Sequence, residues 1–533
     1  MEHKIDRLSE LPDPILEHIL SFIPMKQIIQ FSILSKTWEK VWSLFPIPEF
    51  KQHLFTLKVH TRKVLPNEKE EVEIQRKKQE FKNFVERCLL CRYRRRLTID
   101  NFRLHMMLLD ESDCALVNRW IGYAIECNVK ELNLYVWINQ KRYELPKKKY
   151  ELPESVLAAK SITKLQLSRC KLKSFYSDIN LSSLNKLVLE ITVENQVVQS
   201  LIDGCRDMEE MTFTSCDGLK SIRVSGHSKL KAIELLQNSE LESVDIEASN
   251  LESLVFRLTR PCQINLGKCE NLKKLSLTSC NITDKWLYDV LSKHPLIDCL
   301  DLRLCDMLKM IKISSRRMKS LTFVVCCNLV EVDIVAPNLH RFEYIGDAIS
   351  FSLNSSSLSE VSLTLFDALD AGMIESLAKL SQPKLLTWSG FDAESVITAK
   401  ELREILPSPL YNVKQLKLEA CSIPTRQIHE LVDVLLWICP LMDILFIEWQ
   451  YQGTIDNISF KFTYENPIYK LKSPSCCNLL PVLCWRHCLK TINIENLSGS
   501  IEEETLKKYF FENAEMLESF HYLKGSTLPD QEL

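Results

Sequence analysis

The sequence predicts a mixed α/β protein. A small all-α unit comes first, and an irregular solenoid of parallel strands follows. Three observations predict this. Residues 1–46 carry helical periodicity with clear start and stop signals; a Leu-rich alternating motif recurs through the body; and 533 residues are too many for one compact core, which favours several domains or an elongated array.

In the N-terminal unit, Asp13 is placed to cap a helix and Pro14 suits its first position. Ile15, Leu16, Ile19, Leu20 and Ile23 then form one apolar stripe that stops at Pro24. A second amphipathic run passes through Ile28, Ile29, Ile33 and Leu34. Ser35 caps a third, whose Trp38, Val41 and Trp42 fall within about one turn. A unit this small buries too little to stand alone and needs a partner surface. Residues 47–128 read as a linker and a helical cap. Over 80–90, Phe81, Phe84, Val85, Cys88 and Leu89 share a helical face, and 117–124 reads as a second helix. Such a cap shields the apolar edge of the first coil of an array.

The array itself occupies residues 129–473. Ile162-Thr-Lys-Leu-Gln-Leu-Ser-Arg-Cys-Lys-Leu172 and Leu272-Lys-Lys-Leu-Ser-Leu-Thr-Ser-Cys-Asn-Ile282 are complete copies of L-x-x-L-x-L-x-x-C/N-x-L, the leucine-rich repeat pattern. Ile297 opens a nearly complete copy, and others start at Leu184, Met208, Met318, Leu358 and Val413. Copies starting at Leu219, Leu230, Leu241 and Leu251 recur at half the usual ~20–29-residue interval. That interval leaves no room for a helix, so two strands per coil are predicted. One column runs through the copies at Met208, Leu230, Leu251, Leu272, Ile297, Met318, Leu339 and Leu358. The opposite column runs through those at Leu219, Leu241, Ile264, Leu308 and Leu329. The coil at Leu272 is the exception, because Thr283 is placed to cap a helix over 284–293. Two stretches carry little repeat, 381–409 and the long polar segment 452–478.

Composition narrows the function classes. Hydrophobic residues make up 46%, charged residues 26%, and the formal net charge is -3, so nothing global draws the chain to nucleic acid or anionic lipid. The N-terminus is polar where a secretory signal would be apolar, and the apolar stretch 431–447 is broken by Asp433, Pro440 and Asp443, so no membrane segment is expected. Of the 20 cysteines, Cys170, Cys216, Cys280, Cys305, Cys326 and Cys421 each follow an apolar pair at one repeat position, which reads as buried, reduced thiols of a protein working in the cytoplasm or nucleus. Phosphate-loop, dinucleotide, nucleophile-elbow and zinc-protease motifs are all missing, so no catalytic residue and no cofactor is expected. Cys476, Cys477, Cys484, His487 and Cys488 lack paired knuckle spacing, Cys88 and Cys91 have no second pair, and no metal site is predicted. The basic run 92–96 reads as a helix end or solvated face.

The N-terminal Leu-Pro start with its Ser-Lys-x-Trp element resembles an F-box. The helix at Phe81, the Asn118-Arg-Trp-Ile helix, the strand at 129–134 and the twice-repeated Tyr-Glu-Leu-Pro at Tyr143 and Tyr150 resemble plant F-box proteins with leucine-rich repeats. Residues 474–533 are similar to the FBD module of that family, as a strand, helix and strand. The resemblance implies a non-catalytic substrate receptor of an SCF ubiquitin ligase. Its F-box would dock on a Skp-type adaptor, and through it on cullin and RING subunits, by Leu11, Pro12, Ile15, Leu16, Leu20, Leu34, Ser35, Trp38 and Trp42. Its repeats would hold a protein substrate on outward strand positions of the longer column, with Lys274, Ser276, Asp301, Arg303, Ser320, Thr322, Arg341 and Glu343 as candidates. Two alternatives stand beside it: a co-receptor in which a small molecule joins substrate to repeats through a pocket of converging basic or aromatic residues, and an interaction scaffold that never joins a ligase.

Overall fold

The computed structural model describes residues 49–56, 68–108, 111–138, 149–173, 179–258, 260, 262–347, 349–366, 383–392, 409–423, 428–451, 454–465, 484–496 and 503–523, with the single positions Leu11, Pro12, Ile15 and His18. The chain divides into two units, residues 1–271 and 272–533.

The first unit opens with β1 (Phe50–Lys51), α1 (Glu68–Arg95), β2 (Asn101–Leu108), α2 (Glu111–Glu126) and β3 (Glu131–Ile138). Helix α1 buries Ile74, Phe81, Phe84, Val85, Cys88 and Leu89, so the expected face gains Ile74, and the helix outruns 80–90 by more than a turn at each end. It packs on α2, which buries Val117, Trp120, Ile121 and Ala124. Two polar links fix the pair: the Trp120 indole donates to Glu86 Oε2 at 2.6 Å, and Lys82 pairs with the buried Asp113. The chain continues through β4 (Tyr150–Glu151), β5 (Lys164–Lys171), β6 (Lys186–Thr192) and α3 (Asn195–Gly204), then β7 (Glu210–Thr214), β8 (Ser221–Ser225), β9 (Ala232–Leu236), β10 (Ser243–Glu247), β11 (Ser253–Arg257) and β12 (Gln263–Leu266).

Strands β1, β2, β3, β5, β6, β7, β9 and β11 pair in that order, all parallel, while β8, β10 and β12 form a second parallel sheet. Two strands per coil, as the half-interval copies predict, therefore hold. Leu187 and Leu189, Met211 and Phe213, Ile233 and Leu235 are buried from the first column, and Ile222 and Val224, Val244 and Ile246 from the second. One expectation needs correction. Residues 47–128 contain not only the helical cap but β1 and β2, which extend the sheet ahead of residue 129. Alternation of Phe102, Leu104, Met106 and Leu108, all fully buried, drives this.

The second unit runs β13 (Lys274–Thr278), α4 (Asp284–Lys293), β14 (Cys299–Arg303), β15 (Met310–Ser314), β16 (Ser320–Val324), β17 (Glu331–Val335), β18 (Arg341–Gly346), β19 (Ser350–Asn354), β20 (Glu360–Leu365), β21 (Leu385–Asp392) and β22 (Gln415–Ser422). It closes with α5 (Ile428–Ile438), β23 (Ile444–Tyr451), β24 (Thr454–Tyr464), β25 (Leu489–Glu495), α6 (Glu503–Asn513) and β26 (Ser519–Leu523). Strands β13, β14, β16, β18, β20, β21, β22 and β23 pair in parallel, and β15, β17 and β19 form the opposite column. Thr283 caps α4 as expected, its side chain accepting from Trp286 N at 3.3 Å.

Three strands here lie where no repeat was legible. β19 continues the second column, and β21 fills the gap in 381–409. β24, at the start of 452–478, runs antiparallel to both β23 and β25, against the expectation of parallel strands throughout. An antiparallel return needs only a short turn after Tyr451, whereas a parallel one needs a crossover. Its buried Ile458, Phe460 and Phe462 alternate with polar residues, which hid the strand inside a polar stretch. The terminal strand–helix–strand is present as β25, α6 and β26, with β25 and β26 parallel.

The repeat cysteines have a defined geometric role. The residue before each has a left-handed backbone: Arg169, Ser215, Ser279, Leu304 and Val325 have φ of 62, 47, 56, 51 and 50°. That turn swings the following Cys170, Cys216, Cys280, Cys305 and Cys326 into the core. Cys216 Sγ then donates to Leu189 O at 3.2 Å, and Cys305 Sγ to Leu277 O at 3.7 Å, each reaching back to the preceding coil. Asn238 takes the same position after Gln237 (φ 54°), accepting from Cys216 N at 2.9 Å and donating to Phe213 O at 2.8 Å. Burial pushes the thiol pKa of Cys216 up to about 11 and that of Cys170 up to about 12, so both stay protonated at neutral pH. The side chain of Cys421 lies outside the described residues.

Candidate interaction surfaces

At the N-terminus, Leu11 is half-buried and Pro12 exposed, and Ile15 donates its N–H to Pro12 O at 2.9 Å, the first turn of a helix. The Ile15 side chain is 47% exposed. Leu16, Leu20, Leu34, Ser35, Trp38 and Trp42 lie outside the described residues.

Register brings the repeat candidates of the second unit onto one face. Lys274, Cys299, Ser320 and Arg341 align in one cross-strand row, Ser276, Asp301, Thr322 and Glu343 in the next, and Arg303 lies in a third beside Thr278. They are not equally available. Ser276 and Thr322 are each only 7% exposed, with hydroxyls turned to neighbouring carboxylates: Ser276 Oγ donates to Asp301 Oδ2 at 3.1 Å, and Thr322 Oγ1 to Glu343 Oε2 at 3.5 Å. Asp301 also accepts from Arg303 Nε at 2.8 Å, and Arg341 lies 3.7 Å from Glu343 and 3.6 Å from Glu360. The face is a polar ladder whose charges are largely paired side to side, leaving Lys274, Arg303 and Arg341 as its accessible cations.

A second face went unseen in the sequence because β2 was read as part of a helical cap. On the first unit, His105, Tyr135 and Arg169 stand together on the outward side of β2, β3 and β5. The Tyr135 ring centre lies 5.4 Å from that of His105 and 5.1 Å from that of Trp137, and the Arg169 guanidinium sits 5.3 Å over it. Burial holds His105 below the ordinary imidazole range against the pull of Glu49, so the ring is neutral at pH 7. Alongside, Lys164 at 2.6 Å and then Arg103 at 3.2 Å hold the Glu131 carboxyl below its ordinary range. Tyr, Trp and Arg are the residue types that dominate binding energy at protein interfaces. The alternation of half-exposed Arg103, His105 and Met107 with buried Phe102, Leu104, Met106 and Leu108 was the available signal.

The C-terminal elements hang on one buried carboxylate. Asp433 on α5 accepts through Oδ1 from the indoles of Trp437 (3.1 Å) and Trp485 (3.0 Å), and through Oδ2 from Arg486 (3.3 Å) and the Tyr509 hydroxyl (3.0 Å). Burial, then the facing Asp433, pushes Tyr509 up to about 12. Among the described residues no three His, Cys, Asp or Glu side chains converge to hold a metal, and no helix is long and apolar enough to cross a membrane.

Parallel strands at the repeat interval, buried Leu rungs and an inward Cys or Asn recurring at the first-column turns from Cys170 to Cys326 define a leucine-rich-repeat protein. The LRR-domain family model At1g61320/AtMIF1 matches residues 93–270 and 258–385, more than half of the chain, and the F-box model matches residues 8–49. The chain belongs to the F-box/LRR-repeat family. It is 26% identical over 296 residues to F-box/LRR-repeat protein At3g03360 of Arabidopsis thaliana, covering 53% of this chain and 54% of that one. It is 30% identical over 247 residues to F-box/LRR-repeat protein At3g58930 of the same plant, covering 44% and 46%. It is 25% identical over 290 residues to F-box/FBD/LRR-repeat protein At4g26340, covering 54% and 57%. The chain thus spans about half the length of the curated relatives it matches.

Proposed function

We propose that this chain is the substrate receptor of an SCF-type cullin-RING ubiquitin ligase. The F-box match over residues 8–49, joined in one chain to a repeat array, carries this reading. The F-box docks on a Skp-type adaptor, and the repeats hold a target protein. Its chemistry is positioning: the gain is effective concentration of target lysines near an enzyme bound elsewhere, which needs a rigid spacer and no acid, base or cofactor of its own. It works in the cytoplasm or nucleus, where protonated, buried thiols such as Cys216 persist reduced.

The adaptor contact is made by Leu11, Pro12, Ile15, Leu16, Leu20, Leu34, Ser35, Trp38 and Trp42, and the exposure of Pro12 and Ile15 supports it. The target lies on outward first-column positions of the second unit, where Lys274, Arg303 and Arg341 are the accessible cations. Leu11→Ala with Pro12→Ala is expected to abolish adaptor binding, each truncation costing ~2 kcal/mol or more at an interface centre. Co-precipitation of a Skp-type adaptor by residues 1–46 and by the full chain checks this. Undiminished capture by the double variant, or none by the unaltered chain, defeats the reading.

A further inference from the structure

The coil that begins at β13 returns through helix α4, where the following coils return through the second-column strands β15 and β17. Neighbouring strands sit about 4.8 Å apart, but a helix with its side chains is about 10 Å across, so α4 cannot seat against β15 as a strand would. A cleft of about 470 Å³ opens between them, within the 300–1,000 Å³ range common for ligand sites.

Its lining is electrically one-sided. Lys312, Arg316 and Arg317 come from the strand side, Tyr288 and the buried His294 from the helix side, and no Asp or Glu lines it. Lys312, Arg316 and Arg317 are exposed, and no ion pair of theirs is found among the described residues. Asp284, which does not line the cleft, is engaged with the amides of Lys309 (2.9 Å) and Met310 (3.3 Å). Ser315 holds the tight turn that presents the two arginines, its Oγ accepting from Arg317 N at 3.2 Å and Met318 N at 3.3 Å.

The backbone adds donors. Lys309 O accepts from Glu331 N and Ser315 N donates to Val335 O, so the odd-numbered residues of β15 address β17. By strand alternation Met310, Lys312 and Ser314 turn their N–H groups the other way, along the open edge beside α4. Met310 N spends its proton on Asp284, while Lys312 and Ser314 face the cleft. Sheet-edge amides beneath converging cations bind oxyanions, and two guanidinium forks with an ammonium suit a dianion better than a single carboxylate.

We infer that this cleft binds a phosphate monoester, carried either on a phosphorylated protein segment or on a free organophosphate. The inference does not depend on the ligase reading, since it rests on the second unit alone. Isothermal titration of the full chain with sodium glycerol 3-phosphate and with a glycine-flanked phosphoserine pentapeptide tests it. Saturable binding is expected, weakened about tenfold or more by Lys312→Gln, Arg316→Gln and Arg317→Gln combined, and unchanged by Lys507→Gln on α6. All three substituted side chains are exposed, so the fold should tolerate the change, and an unaltered unfolding midpoint verifies that. Tighter binding of the peptide assigns the site to a phosphorylated chain, and tighter binding of glycerol 3-phosphate to a free organophosphate. Absence of saturable binding of either probe, or equal binding by the triple variant, overturns the proposal.

Discussion

The repeat turn is decided by single residues. A left-handed φ is costly for residues with a Cβ, by ~1–2 kcal/mol, yet Leu304 and Val325 adopt it because the next residue must enter the core. Leu304 is exposed and forfeits little packing if shortened. Leu304→Asn, which tolerates this conformation, is expected to raise stability by ~0.5–1 kcal/mol. A urea midpoint that stays level or falls contradicts that account. The same turn buries the thiols. A thiol reagent applied to folded protein should label the exposed Cys327 and spare Cys216 and Cys305 until denaturant is added; labelling of Cys216 at the Cys327 rate would show the coil is looser than its hydrogen bonds imply.

Among the elements, the strands that the sequence revealed are those with paired apolar residues at repeat spacing, and those it concealed broke the spacing and kept the alternation. β2 buries every second residue and β24 buries Ile458, Phe460 and Phe462, but β2 follows a long helix and β24 runs antiparallel, so neither stands in register with the Leu-x-Leu copies. The candidate face was legible as a set of positions, because alternation fixes which residues point outward. Its availability was not, since Ser276 and Thr322 are shielded only through their cross-strand neighbours Asp301 and Glu343. At this scale the four-donor cradle of Asp433 also matters, tying α5 to the Trp485 turn and to α6. Asp433→Ala leaves buried donors unsatisfied and is expected to cost ~3 kcal/mol. Urea unfolding followed by Trp fluorescence measures it, and a loss under ~1 kcal/mol would mean the cradle is not what holds the C-terminal elements.

For the whole molecule, binding and delivery should be separable. Repeats make their contacts mainly with neighbouring coils, so deleting residues 1–46 is expected to leave the array folded while α1 and α2 remain. In cells the truncated chain should still capture its target yet leave it unmodified, and the target should accumulate. If the target bound by the truncated chain decays as fast as with the intact one, delivery for degradation is not its role and the scaffold alternative takes over.

By itself the sequence determined the class of fold, the F-box segment, the two columns and the helix that interrupts them. These follow from local periodicity, and each coil must bury its own apolar residues on its neighbours. It also determined that Cys216, Cys280 and Cys305 would point inward, since one repeat position recurs at a fixed offset from the strand. Tertiary structure alone decided the rest. Whether Ser276 is reachable depends on Asp301, a residue 25 positions away in the adjoining strand. Tyr135 gathers His105 and Arg169 only because β2, β3 and β5 pair side by side, and Asp433 gathers Trp485 and Tyr509 across 52 and 76 positions. Side chains brought together by strand pairing and helix docking have no common period in the chain. Their chemistry is a property of contact geometry, which local pattern does not encode.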